Sequence, residues 1–270
     1  VLRGHGRRQH RALLPTTIRR YVDHVLPVLL DWSESVDSLR EITRAHVHDA
    51  LAATSGYARA QLQVTLRSLF GALQQERLIF HDNARGMALP YPRRLPVPLP
   101  SDRLHGLIDK TPTHAGKLAV ALVAIHALPG ADIRRLRLDD LDRHHGRLTV
   151  ARPGRPHIVY LDEFTLNLAT AWLTERAQRW PRTTNPHLLI TQQSATDHRN
   201  RPMHAVSFRM LFTPLGITPS QLRIDRIYDE ARHTADPVHL MRTFGISTNT
   251  AMTYLEATHP ERARPDPTQA

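Results

Sequence analysis

Prolines at positions 90, 92, 96, 98 and 100 constrain this chain more than any other feature. In LPYPRRLPVPLP each fixes φ and removes a backbone donor, so neither a helix nor a central strand can pass through. The segment is expected to be extended and semi-rigid, a linker between two folded bodies. The spacing of apolar residues around it places a basic arm at 1–11, a helical domain at 12–89, the linker at 90–100, a larger domain at 101–262 and a loose tail at 263–270. The chain begins at Val1 rather than at a methionine, which leads us to expect a further N-terminal piece.

Before the linker the pattern is helical. TTIRRYVDHVLPVLLDW puts Ile18, Tyr21, Val22, Val25, Leu29 and Trp32 on one face, with a kink expected at Pro27. Thr43 is a good N-cap for RAHVHDALAA. A third helix over about 57–77 buries Leu62, Leu66, Leu69, Phe70 and Leu73, leaving Arg59, Gln63, Arg67 and Gln74 on the opposite face. Four or so helices make a small bundle here. The polar face of the third helix suits either a DNA backbone or plain solvent.

After the linker, Ser101-Asp102 reads as a helix cap and 115–127 (AGKLAVALVAIHA) as a buried central helix, apolar almost all round. A break at Leu128-Pro129-Gly130 precedes a short helix. Arg147–Val150 and His157–Leu161 alternate like strands about Arg152-Pro153-Gly154-Arg155, a hairpin whose tip should expose Arg152 and Arg155. A helix follows over 164–180, a strand candidate over 188–190 and a helix over 203–212. Thr218-Pro219 and Asp236-Pro237 then open two helices, Gly245 closes the second in positive φ, and a last helix from Thr248 carries Tyr254.

The formal charge is +11, and of 36 basic residues only Lys110 and Lys117 are lysines. GC-rich codon usage accounts for part of that arginine preference but not for the net charge. A balance so positive favours a polyanionic partner, through phosphate neutralisation and counterion release. Cysteine is absent, so there is neither a disulfide framework nor a thiolate metal site. The eighteen histidines are scattered without paired ligand spacing, and we expect no metal and no cofactor. No apolar run reaches the length of a membrane span and no signal peptide is visible, so a cytoplasmic, nucleoid-associated protein without a membrane partner is expected.

Helical bundle, proline linker, then helices and a basic hairpin ending in an Arg…Tyr segment resembles the tyrosine recombinases, the phage-type integrases. IHALPGADIRRLRLDDLD, RPGRPHIVYL and ADPVHLMRTFGIS with the following tyrosine carry the likeness. It implies a mainly α fold with a small antiparallel β-sheet, arranged as a DNA core-binding domain and a catalytic-like domain. It also implies that Tyr254 attacks a DNA phosphodiester to give a 3′-phosphotyrosyl link without metal or nucleotide. Arg223 would clamp the phosphate, and Arg152 stands where the family has its hairpin lysine. Arg59, Arg67, Arg93, Arg94, Arg155 and Arg226 are the further DNA-contact candidates. Double-stranded DNA is the implied partner, with self-association on DNA and a partner recombinase.

The sequence also departs from the family pattern. Pro129 stands where the first arginine belongs, Ser220 and Ile246 where two histidines belong, and Arg152 is a poor proton donor because its pKa is too high. His126, Arg134, Arg135 and Arg226 are the neighbours available as substitutes. Cleavage is therefore expected to be impaired or lost. The competing reading takes 238–255 as a helix-turn-helix of a non-catalytic DNA-binding regulator, with Tyr254 as a core residue. A helical scaffold for acidic proteins is a third reading, which explains the charge but not the order of elements.

Overall fold

The computed structural model describes residues 15–87, 95–152 and 156–262. The basic arm, part of the linker, the hairpin tip and the tail fall outside this range, and with them Arg93, Arg94 and Arg155. The chain divides into two compact units, Val1–Arg93 and Arg94–Ala270.

The first unit is built from α1 (Pro15–Ser33), α2 (Arg44–Ala52) and α3 (Gly56–Gln75). Only these three α-helices, rather than four, are found among its described residues. α1 continues through Pro27, burying Val25 and Trp32 but leaving Val22 and Leu30 exposed. Thr43 caps α2, exchanging hydrogen bonds with His46 that satisfy donors at the helix start. α3 turns Leu62, Leu66 and Phe70 into the core, where Phe70 meets Trp32 edge to face with centroids 6.3 Å apart. Its opposite face holds the departing chain: Gln63 and Arg67 both donate to the Met87 carbonyl, Arg67 at 2.6 Å.

The second unit is arranged around α4 (His114–Ala124), in which Leu118–Val123 are all essentially inaccessible. The helix expected at Ser101 is a single 3₁₀ turn. α5 (Gly130–Ile133) is followed by three antiparallel strands in the order β1 (Leu141–Asp142), β2 (Arg147–Val150) and β3 (His157–Tyr160). The hairpin pairs Val150 with His157 and Arg147 with Tyr160, so Leu148, Val150 and Val159 face the core. α6 (Glu163–Arg179) packs on α4, and α7 (Gln192–Ala195) and α8 (Ala205–Met210) follow.

Leu188–Ile190 does not form a strand. Arg137 and His187 make one isolated antiparallel bridge, and the Leu188 N–H donates to Leu136. Burial alone made this run apolar. Three final helices, α9 (Pro219–His233), α10 (Pro237–Phe244) and α11 (Thr248–Thr258), enclose a core of Ile227, Ala231, Leu240, Phe244, Ala251, Tyr254 and Leu255, with Ala127. No described helix is long and apolar enough to cross a membrane.

Candidate functional site

Arg223 is placed by the start of α9. Thr218 caps that helix, Gln221 returns the bond, and Pro219 occupies the first turn, so the register of α9 is fixed a few residues before the arginine. The Arg223 Nε donates to the Ala127 carbonyl at 2.7 Å. That carbonyl is available because α4 ends abruptly. Ala127 lies in the left-handed region at φ +50°, and the N–H groups of Ala127 and Leu128 bond back to Val123 and Leu122. An alanine there is strained, since its Cβ crowds the backbone.

Tyr254 sits in the middle of α11 and is only 6% exposed, packed in the core of the last three helices. No hydrogen bond holds its hydroxyl among the described residues. Burial pushes the phenol pKa up, while the Arg223 charge pulls it partly back. Burial likewise lowers the Arg223 pKa and Tyr254 opposes that shift; Arg152 and Asp132 also act on it. Each group therefore lies within the other's field, and the phenol and two guanidiniums share one neighbourhood.

Arg152 was expected at an exposed tip, and here the structure differs. Its side chain is only 18% exposed and folds back onto α10 and α5. One Nη donates to the Gly245 and Phe244 carbonyls, and the other reaches Asp132 Oδ2 at 3.4 Å. The last carbonyls of a helix lack intrahelical partners and carry partial negative charge, so they attract the guanidinium. Gly245 makes the approach feasible: it sits at φ +58°, and a Cβ there would overlap Arg152 and meet His157. His157 completes the cluster, its pKa lowered first by burial and then by the Arg152 charge. Nothing in the sequence separates this histidine from the other seventeen.

Arg226, three residues beyond Arg223, is committed elsewhere. It donates to Ile125 O at 3.2 Å, pairs with Glu230 at 2.8 Å and lies over the Phe244 ring. Arg59 and Arg67 lie on α3 of the first unit; Arg59 is half-buried, and Arg67 is exposed apart from its bond to Met87. Pro129 caps α5 and offers no donor. The candidate substitutes are also engaged: His126 Nε2 lies 3.2 Å from both Thr165 and Asp162, and Arg134 donates to Met203 O. Arg135 is exposed. Ser220 is exposed, and Ile246 packs against the core of the last helices. No group of three metal-ligating side chains occurs among the described residues.

The architecture is that of the tyrosine recombinases and integrases: a mostly helical chain with a three-stranded antiparallel sheet. The match to XerH site-specific recombinase, in a post-cleavage complex with its palindromic difH substrate, has a TM-score of 0.72 at 16% identity. It covers 91% of this chain and 78% of that one. A lambda integrase dimer bound to a COC′ core site gives 0.62 at 13% identity, over 95% and 94% of the two chains. The Tn1549 transposon integrase with a circular intermediate DNA gives 0.61 at 13%, over 88% and 94%. At identities of 13–16% the likeness establishes the fold alone. Neither a family model nor a curated relative matches the sequence.

Proposed function

We propose that this chain binds duplex DNA in site-specific recombination or integration, seating one backbone phosphate between Arg223, Arg152 and the Tyr254 phenol, with strand cleavage impaired or lost. The observation that carries the reading is that Arg223 of α9, bonded to the Ala127 carbonyl, lies in the fields of both the Tyr254 phenol of α11 and the Arg152 guanidinium that follows β2. The charge of +11 supports a polyanionic partner. The solved proteins of this fold described above are held on DNA, which supports the same partner class. On this reading 12–89 is a core-binding domain, 90–100 the linker and 101–262 a catalytic-like domain. Arg59, Arg67, Arg93, Arg94 and Arg155 then supply further backbone contacts, which Arg226 joins only by exchanging Glu230 for a phosphate. Self-association on DNA, a partner recombinase and nucleoid association belong to the same proposal.

If cleavage survives, the Tyr254 oxygen bonds to phosphorus as the bond to the 5′ oxygen breaks. The phenol proton leaves the attacking group and a proton is delivered to the departing 5′ oxygen. Two features weigh against speed. Pro129 supplies no donor for the developing charge, and loss of one such donor costs about 10²–10³ in rate. Burial also keeps the phenol protonated. These favour binding over chemistry and keep a second reading open, a non-catalytic DNA-binding regulator using α10 and α11 as a helix-turn-helix with Tyr254 in its core.

The test uses the whole chain with a suicide duplex carrying a nick. Salt-dependent binding is expected, and Arg223→Ala and Arg152→Ala should each weaken it and lower the salt slope by about one. Any SDS-resistant adduct should form slowly and vanish in Tyr254→Phe. Unchanged affinity and slope in both arginine variants overturns the phosphate site; binding that needs both arginines with no adduct at all selects the regulator.

A further inference from the structure

One polar atom at the site is left unexplained by the reading above. The Nε2 of His157 is sealed from solvent and has no hydrogen-bond partner among the described residues. Buried polar nitrogens are nearly always paired, because an unpaired one forfeits its hydration for nothing. The residue opens β3 opposite Val150, and its ring carbon Cγ and the Arg152 guanidinium both border the space that a Cβ on Gly245 would fill.

The charged groups facing the ring are few. Arg152 approaches from the segment after β2 and Asp132 from α5, while α10 contributes only the backbone of Thr243. Arg152 and Asp132 are also the groups, with Tyr254, whose charges act on Arg223. Two residues, Arg152 and Arg223, thus link the imidazole to the phenol, and the ring with its unused nitrogen lies in the field of the guanidinium that the proposed phosphate would meet.

We propose that His157 is a third basic group of this phosphate site, taking up one proton from solvent as a DNA backbone phosphate enters beside Arg152 and Arg223. The proposal rests on the duplex-binding reading above. Burial and the Arg152 charge both oppose protonation in the free protein. An entering anion offsets the second and adds attraction of its own, so the protonated ring becomes the favoured form. One proton moves from solvent to Nε2, and no bond to phosphorus is made or broken. Because Nε2 is sealed, the group acts through its charge, as a positioning residue for Arg152 and the phosphate rather than a catalytic one. In the window between its free and bound midpoints, affinity rises up to about tenfold per pH unit lowered, the limit for uptake of one proton.

The experiment follows histidine ring resonances of the full chain through a pH titration, alone and with a duplex whose binding is checked separately by anisotropy. His157→Gln assigns the signal; should that variant lose the fold, backbone-linked assignment in the wild-type chain identifies the same resonance. The expected result is a His157 midpoint raised by about one pH unit or more on duplex binding, with the rise abolished in Arg223→Ala. A midpoint unmoved by a duplex that binds in an Arg223-dependent way overturns the proposal and leaves the phosphate site standing. Duplex binding indifferent to Arg223→Ala removes both.

Discussion

At the scale of single residues, Gly245 does two jobs that no other amino acid can combine. It ends α10 in the left-handed region, and its bare α-carbon leaves room for the Arg152 guanidinium. Gly245→Ala is expected to destabilise the protein by about 1–2 kcal/mol from backbone strain alone. It should also expel Arg152 from the α10 terminus, because the added methyl meets the end of a flexible side chain rather than a wall. Denaturant unfolding measures the first effect and the arginine Nε resonance the second; an Ala variant that matches wild type in both would remove the steric account. Legibility was uneven at this scale. Thr218, Asp236 and Gly245 announced their roles because caps and left-handed ends have strong residue preferences. The inward fold of Arg152 was illegible, since it depends on a helix terminus ninety residues away in sequence. Asp132 and His157 gave no signal for the same reason.

At the scale of elements, periodicity spoke clearly where one face is wet and one dry, as in α3, or where a helix is apolar all round, as in α4. The hairpin was equally plain, because two alternating runs flank a Pro153-Gly154 pair in the sequence, and those runs pair as β2 and β3. Short apolar runs were ambiguous: Leu188–Ile190 has the composition of a strand yet makes one bridge, and β1 is too brief to alternate at all. The bundle of α1–α3 also makes a prediction about packing. Phe70 is fully buried against Trp32, so Phe70→Ala should cost about 3–5 kcal/mol, most of the margin of so small a unit. Trp32 is the first unit's tryptophan, while Trp172 and Trp180 belong to the second. Fluorescence should then show Trp32 exposed at a lower denaturant concentration, with loss of the α1–α3 share of the far-UV signal, while the remaining helicity and the Trp172 signal persist. A single coincident transition would mean that the two units unfold as one.

At the scale of the whole molecule, the titrating groups set a direction for stability. Burial holds His126, His157 and His187 below the ordinary imidazole range, in each case as the largest cause. In the unfolded chain these rings take up protons near pH 6.5. The folded protein binds them only at lower pH, so the unfolded state gains protons first as pH falls. Their contribution is therefore fully present above about pH 6.5 and is lost as pH drops through their folded values. The lowered carboxyls of Glu175 and Glu230 act in the same sense at more acidic pH. The melting temperature is expected to fall between about pH 7.5 and 5.5, and less steeply in His126→Gln. A melting temperature flat across that interval would show that the rings are already charged in the folded chain.

The guanidiniums of Arg152 and Arg223 rest on peptide oxygens from Ala127, Phe244 and Gly245. Any incoming anion must trade places with acceptors the protein already provides, so the number of donor contacts changes little between the empty and the filled state. Selectivity among anions then comes from their formal charge and from the ions they shed. A duplex carrying a neutral methylphosphonate at that position should therefore gain almost nothing from these two arginines.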